Sequence, residues 1–372
     1  MYSRWKAIIA LAAVGVAVNQ ANAQSTWERT NRGLVEVIAG GADSTDLHAM
    51  EDLANILDDG ATRRIVPVVG KGTTQNLSDI RLLRGIDLGI VQLDAFAMSK
   101  AQGSSPENSL TYICKLYNEE FHLLARDTVR TINDLEGKSV NFDVPGSGAS
   151  ITGPLVFQKL KIHVDAASLD PALALEKLKS GEIAAMVVVS AKPTPLFAML
   201  QPKSGLHLLA VPFVPEGKEY TPARLTSEDY PNLVQQPTDT IAVGTVLAVA
   251  NLVPGTERYR NVANFVDAFF TQFSKLLEPP HHPKWREVNL AAEVPGWRRF
   301  PPAEAWLKRN GTPPPTFDEV QLKTMFSRFL DERSRLSGRA LTQQEKDDMF
   351  NAFRKWQSAQ PAMEGSSASP IQ

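Results

Sequence analysis

The 372-residue chain has a single cysteine, Cys114. An intramolecular disulfide is therefore excluded, and no second thiol supports redox work, so Cys114 within LTYICKLY reads as a small buried hydrophobe. Charge of one sign is also lacking: 39 Lys and Arg stand against 41 Asp and Glu, a formal net charge of −2. This balance argues against a nucleic-acid partner, and without a polybasic cluster a membrane surface is disfavoured as well. Six histidines (His48, His122, His163, His207, His281 and His282) fall at no zinc-ligand spacing, so no metal is expected. No Gly-x-Ser-x-Gly elbow occurs, and the Pro145–Ser150 loop is not a Walker loop, because no Gly-Lys-Ser/Thr follows it. No nucleophile–base set or paired-carboxylate motif stands out. The chain is therefore read as a non-enzyme with no cofactor. Asp331–Thr342 fails as a calcium loop, because Arg333 and Arg335 take ligand positions and Thr342 replaces the closing Glu.

Long apolar runs are scarce too. The longest hydrophobic stretch, Ala7–Val18, is too short to span a bilayer. It follows Arg4 and Lys6 and precedes Ala21-Asn22-Ala23, the pattern of a cleaved secretion signal over residues 1–23. Cleavage would leave 349 residues starting at Gln24, with formal charge −4, and the mature chain is expected to be soluble and periplasmic. A monomer is expected.

What the chain does contain is a repeat. Ser78–Phe96 (SDIRLLRGIDLGIVQLDAF) and Ala174–Lys192 (ALEKLKSGEIAAMVVVSAK) each read as an amphipathic helix, a glycine stop at Gly85 or Gly181, an apolar strand and a loop. Upstream of each, Val35–Leu57 and Ser139–Ile162 read as strand, small-residue loop and helix. Two similar βαβαβ halves predict an α/β protein of two lobes with a ligand between them. Tyr112–Ala125 reads as a strand pair or crossover into the second half, and Thr240–Ala250 as the strand returning to the first. Pro193–Pro237 reads as irregular covering structure, Tyr259–Leu277 as a helix, and Pro279–Pro315 as a surface wrap holding Trp285, Trp297 and Trp306. Capping boxes at Thr316-x-x-Glu319 and Thr342-x-x-Glu345 predict a terminal helical hairpin around Gly338, burying Phe326, Phe329 and Leu330 against Met349, Phe350, Phe353 and Trp356. The tail from Gln360 is too polar and small-residue-rich to pack.

Three small-residue loops lie where strands hand over to helices: Gly40–Thr45, Gly70–Thr74 and Pro145–Ser150. Such loops offer backbone N–H groups to carboxylates and phosphates, at the strand ends where α/β sheets hold ligands. Candidate ligand-binding residues are Gly40, Gly41, Ser44, Thr45, Gly72, Thr73, Asn76, Gly146, Ser147, Gly148 and Ser150. Gln92, Asp94, Ser190 and Lys192 join them from the loops after the repeated strands. Lys192 reads equally as an anion partner and as a solvated lysine; Arg126 reads as an anion partner or a salt bridge. Pro154 sits in the first turn of its helix, or that helix starts near Gly153.

The combination of GKGTTQNLSDIRLLRGIDLGIVQLDAF, INDLEGKSVNFDVPGSGAS and ALEKLKSGEIAAMVVV resembles the TAXI-type solute receptors of TRAP transporters, over Leu34 to Leu277. The resemblance implies a Venus-flytrap, type II periplasmic-binding-protein fold. Lobe one would comprise residues 30–125 and 240–285, and lobe two residues 126–239. A helical extension over 286–360 and a disordered tail over 361–372 would follow. It further implies a receptor that delivers a small organic anion or amino acid to TRAP membrane permease subunits. The first loop departs from the family's GTGGTYYPLG-like pattern, since Ala39–Thr45 has no aromatic and carries Asp43, which would repel a carboxylate or pair with an amine. A ligand sensor signalling through the terminal helices is the second reading, and an exported enzyme on the same fold the third.

Overall fold

The computed structural model describes residues 31–42, 44–101, 103, 105–201, 204–213, 219–311, 326, 330 and 341–359. The expected signal segment, Asp43, the Thr316 capping box, Phe329, the Asp331–Gly338 stretch and the tail from Gln360 lie outside them, as do the side chains of Phe353 and Trp356. The chain divides into two units, residues 1–316 and 317–372.

The first unit opens with β1 (Leu34–Ile38), α1 (Thr45–Leu57), β2 (Arg64–Val68), α2 (Thr73–Leu82) and β3 (Leu88–Gln92). Ser44 caps α1, its Oγ accepting from the Leu47 N–H at 3.2 Å. β1 pairs in parallel with both β2 and β3. The second half repeats this order with β5 (Ser139–Asn141), α4 (Ala149–Leu160), β6 (Asp165–Ala167), α5 (Pro171–Ser180) and β7 (Ala185–Ser190). Here β5 pairs in parallel with β6 and β7. Asp170 caps α5 ahead of Pro171, and Gly181 ends it in the left-handed conformation. Gly85 also has positive φ, but α2 has already ended at Leu82.

Two long strands join the halves. β4 (Leu110–Arg126) is one continuous strand of 17 residues, rather than the strand pair that was one reading of its sequence. β10 (Thr238–Ala250) runs antiparallel beside it. The sheet order is β2-β1-β3-β10-β4-β7-β5-β6, so each half presents the same sequence of strands outward from the crossing pair. β8 (Leu206–Leu208) adds to β4 and β9 (Tyr220–Leu225) to β10, giving regular structure to a stretch read as irregular. The mirror order explains the repeat: each βαβαβ half buries its own parallel strands, and the crossing strands close both.

Four apolar clusters divide along the same line. Two gather around β1–β3, with Met50, Leu53, Phe265 and Trp285 in one and Ile38, Ile80, Phe96 and Trp297 in the other. Two gather around β5–β7, with Phe121, Phe142 and Phe157 in one and Leu124, Phe197 and Tyr230 in the other. α6 (Glu257–Thr271) packs on the first half, and a four-residue helix at Phe273–Leu276 replaces the last turns of the expected longer helix. The proline-rich stretch does more than wrap the surface. It forms a 3-10 helix at Pro283–Glu287 and α7 (Pro301–Asn310), and it buries Trp285 completely. Proline and tryptophan together account for this, since Pro starts the short helices while Trp supplies the burial.

In the second unit, α8 (Gln343–Ala359) begins at the expected box. The Thr342 N–H donates to Glu345 Oε2 at 2.8 Å and the Glu345 N–H donates to Thr342 Oγ1 at 3.3 Å. Phe326 and Phe350 lie 5.7 Å apart, ring to ring.

Candidate functional site

The three small-residue loops and both repeated strand ends face the line where the halves meet. The Thr74 N–H donates to the Gly146 carbonyl at 3.3 Å, so the Gly70–Thr74 and Pro145–Ser150 loops touch directly. Gly72, at φ +127°, makes that approach feasible: a Cβ there would lie 2.9 Å from Ser147 Cα. Gly148 allows the Gln92 amide to rest on its Cα, where a methyl group would collide with it. Thr45 Oγ1 donates to the Ala191 carbonyl at 3.3 Å, joining the start of α1 to the end of β7.

Asp94 forms a firmer link. It lies in the first turn of α3 (Leu93–Ala101), a helix where the repeat had suggested a loop. Its Oδ2 accepts from Thr152 of α4 at 2.6 Å and from Tyr220 of β9 at 3.1 Å. Burial pushes this carboxyl up, and the hydroxyl donors pull it back.

The backbone donors offered to an anion are largely engaged within the chain. The Lys71 N–H bonds Gln75 Oε1, the Gly146 N–H bonds Ser150 Oγ, the Ser150 N–H bonds Ser147 Oγ, and the Ser147 N–H bonds the Val144 carbonyl. Gly40 is packed against Ser44, whereas Gly41 is exposed with open space around it. Asn76 donates to the Ile90 carbonyl at 2.8 Å, and Thr73 Oγ1 accepts from the Gln92 N–H at 3.2 Å. Lys192 is neither solvated nor free for an anion: its Nζ donates to the Arg224 carbonyl at 2.6 Å and pairs with Asp229 at 3.0 Å. Arg126 sits beside Gly181, at the end of β4 away from these loops. α4 starts at Ala149, so Pro154 lies inside the helix, beyond its first turn.

Residues passed over in the sequence lie at the centre of β4. Asn118, Glu119 and Glu120 are buried as a run of three in a strand whose other residues are mostly apolar. Tyr117 belongs to a core of the first half and Phe121 to a core of the second, so Glu119, between them on the same strand face, sits where the two cores meet. A register shift opposite Thr245 bulges the strand at this point, and the Thr245 hydroxyl donates to the Tyr117 carbonyl at 2.8 Å.

Two networks extend from the strand. On one face, Gln92 Nε2 donates to Glu119 Oε2 at 2.5 Å, and Tyr117 donates its hydroxyl to Asp46 Oδ1 at 2.7 Å. Asp46 and Glu119 are themselves hydrogen-bonded. Burial pushes Asp46 up to about 6 and Glu119 well above the usual carboxylate range; the nearby Asp46, Asp94 and Glu120 carboxylates add to the rise at Glu119. On the other face, the buried Lys284 ammonium pairs with Glu120 at 2.5 Å and Glu287 at 2.7 Å, and these two carboxylates hold it charged. The Lys192 N–H adds a bond to Glu120 Oε2 at 2.9 Å, and Ser190 lies opposite Glu120 in the β4–β7 register. Gln92 Oε1 and Asn76 Oδ1 are buried without a hydrogen-bond partner. The sequence signal for this site was a run of three polar residues interrupting an apolar strand.

Cys114 is fully buried, and burial pushes its thiol up to about 12. Among the described residues, no group of three or more His, Cys, Asp or Glu side chains could hold a metal ion, and no helix is long and apolar enough to cross a membrane.

Solved structures similar to this chain include the substrate-binding protein of an amino acid ABC transporter, at 14% identity and TM-score 0.41, covering 66% of this chain and 97% of that one. Another is an amino acid ABC transporter substrate-binding protein from Streptococcus pneumoniae bound to L-arginine, at 13% identity and TM-score 0.39, covering 68% and 95%. A third is the effector-binding domain of a BenM variant, at 13% identity and TM-score 0.40, covering 65% and 96%. The two mirrored βαβαβ halves, joined by antiparallel crossing strands, make a two-lobed α/β fold. A family model matches residues 38–290, which hold every strand of the sheet except most of β1, together with the meeting loops and the acidic residues of the seam: this chain belongs to the NMT1-like family.

Proposed function

We propose that the protein is a periplasmic solute-binding receptor of the TAXI type. It would be exported by cleavage of residues 1–23, trap a small organic anion or amino acid between its lobes, and deliver it to TRAP permease subunits. Lobe one would comprise residues 30–125 with 240–285, and lobe two residues 126–239, with the chain acting as a monomer and without catalysis. The observation that carries this reading is the seam itself. Strand ends and the helices after them from both halves meet at Thr74–Gly146, Gln92–Gly148 and Asp94–Thr152, as a closed two-lobed receptor requires. The crossing strands β4 and β10 supply the hinge. Thr45, Gly72, Thr73, Gln92, Asp94, Ser147, Gly148 and Ser150 line the seam and would close on the solute; Gly40, Gly41, Ser44 and Asn76 shape the loops behind them.

Native mass spectrometry of the mature chain purified from its own periplasm tests this. A stoichiometric small molecule, released on denaturation, is the expected result. A ligand-free mass, with no thermal shift across a panel of organic acids, amino acids and amines, would overturn it.

A further inference from the structure

The seam holds more acceptors than donors. Gln92 is 2% exposed; its Nε2 is committed to Glu119, and its Oε1 has no partner. Glu119 is 6% exposed, and Asp46 lies against it with one oxygen taken by the Tyr117 hydroxyl. Two carboxylates and an unsatisfied amide oxygen thus gather at the point where the cores of the halves meet. Buried acceptors require donors, and two carboxyls this close must either share a proton or be met by positive charge.

Lys284 does not supply it, being bound to Glu120 and Glu287 on the other face of β4. A metal ion is disfavoured: among the described residues no three His, Cys, Asp or Glu side chains group to hold one, which would leave it only the two carboxylates and the amide oxygen named above. A simple carboxylate does not fit either: it would face Asp46 and Glu119, while the loop N–H groups at Lys71, Gly146, Ser147 and Ser150 are already bonded. An organic group that carries both positive charge and several N–H donors meets the need.

We infer that the solute trapped between the lobes bears a protonated amine or guanidinium, which docks against the Asp46–Glu119 pair and donates to Gln92 Oε1. The inference rests on the receptor reading, keeps its amino-acid arm, and sets an N–H cation in place of the organic anion. Entry follows from the placement of Gln92. The bare Gly148 Cα covers its amide in the closed seam, so separating the lobes uncovers Gln92 and the carboxylate behind it.

Isothermal titration of the mature chain, residues 24–372, with putrescine, agmatine and L-arginine on one side and succinate and glutarate on the other tests the assignment. At least one cation should bind and neither diacid should. Glu119→Gln should weaken that cation by about ten- to a hundredfold, the range expected for a charged hydrogen bond removed from a buried site. Asp46→Asn serves as the second variant where Glu119→Gln does not fold, with circular dichroism and the thermal midpoint as the check. Diacid binding without cation binding, or unchanged cation affinity in the folded variants, overturns the inference and leaves the receptor reading standing. Binding of no compound in either class overturns both.

Discussion

Gly72 shows how one position can control the seam. Its φ of +127° is outside the range an L side chain readily adopts, and a Cβ there would press on the Ser147 backbone. Gly72→Ala should therefore cost about 1–3 kcal/mol of stability, read from urea unfolding. It should also hold the Gly70–Thr74 loop off its counterpart, enlarging the radius of gyration in small-angle scattering. Asp46 makes a pH-dependent prediction. Its carboxyl is raised from 3.8 to about 6, so the folded state favours the protonated form. That contribution is fully present below about 3.8 and is lost as pH rises through about 6. Tyr117 and Glu119 contact Asp46 directly, Asp52 adds charge at Tyr117, and Asp94, Glu120 and Lys284 stand behind Glu119. His122, lowered to about 4 by burial, acts in an overlapping window with opposite sign, because its protonation on acidification favours unfolding. The difference between Asp46→Asn and the parent isolates the carboxyl. Without added ligand, the variant should have the higher thermal midpoint at pH 7.5, and the advantage should vanish near pH 4.

At the scale of the element, β4 carries both the fold and the candidate chemistry. Its 17 residues cross from one core to the other, and the polar step at Asn118–Glu120 marks the crossing. Burying Glu120 there depends on Lys284, which arrives from a 3-10 helix 164 residues later in the chain. Removing one partner leaves the other charge buried, so Lys284→Ala should cost about 3–5 kcal/mol. Combining Glu120→Gln with Lys284→Ala should recover at least half of that loss. A double-mutant cycle in urea checks it, and simple additivity of the single changes would contradict the pairing. α3 shows where local reading fails: Leu93–Ala101 follows the repeated strand as a helix, while the matching segment of the second copy enters a Pro-rich turn. Nothing in the repeat itself distinguishes the two.

For the whole molecule, the proposed closure would use the crossing strands as its hinge, and the ties Asp94–Thr152, Asp94–Tyr220 and Thr45–Ala191 are those that parting the halves would break. Asp94→Ala should shift the protein toward an open form, seen as a larger radius of gyration without ligand that contracts when a binding compound is added. The entire sheet and the seam belong to the first unit. A chain ending at Thr316 should accordingly keep a single cooperative unfolding transition, followed by circular dichroism; loss of that transition would show that residues 317–372 are needed for the first unit to fold.

The sequence by itself determined the elements whose signals are local. Apolar runs made Leu88–Gln92 and Ala185–Ser190 strands, Ser44 and Asp170 placed helix starts, the Thr342 and Glu345 pair opened α8, and the recurrence of these units implied two halves. The small-residue loops were legible because glycine and serine permit close backbone approach. Only the tertiary structure decided what those loops meet. Contact between Gly72 and Ser147, or the tie from Thr45 to Ala191, depends on pairing across a sheet whose register no local pattern encodes. Lys192 illustrates the same point, since Asp229 and the Arg224 carbonyl claim it from a distant turn. The acidic centre was hidden for a related reason. Glu119 acquires its character from burial between two cores and from Asp46 and Gln92, residues 73 and 27 positions earlier in the chain, and desolvation of a carboxylate is a property of surroundings that only folding creates.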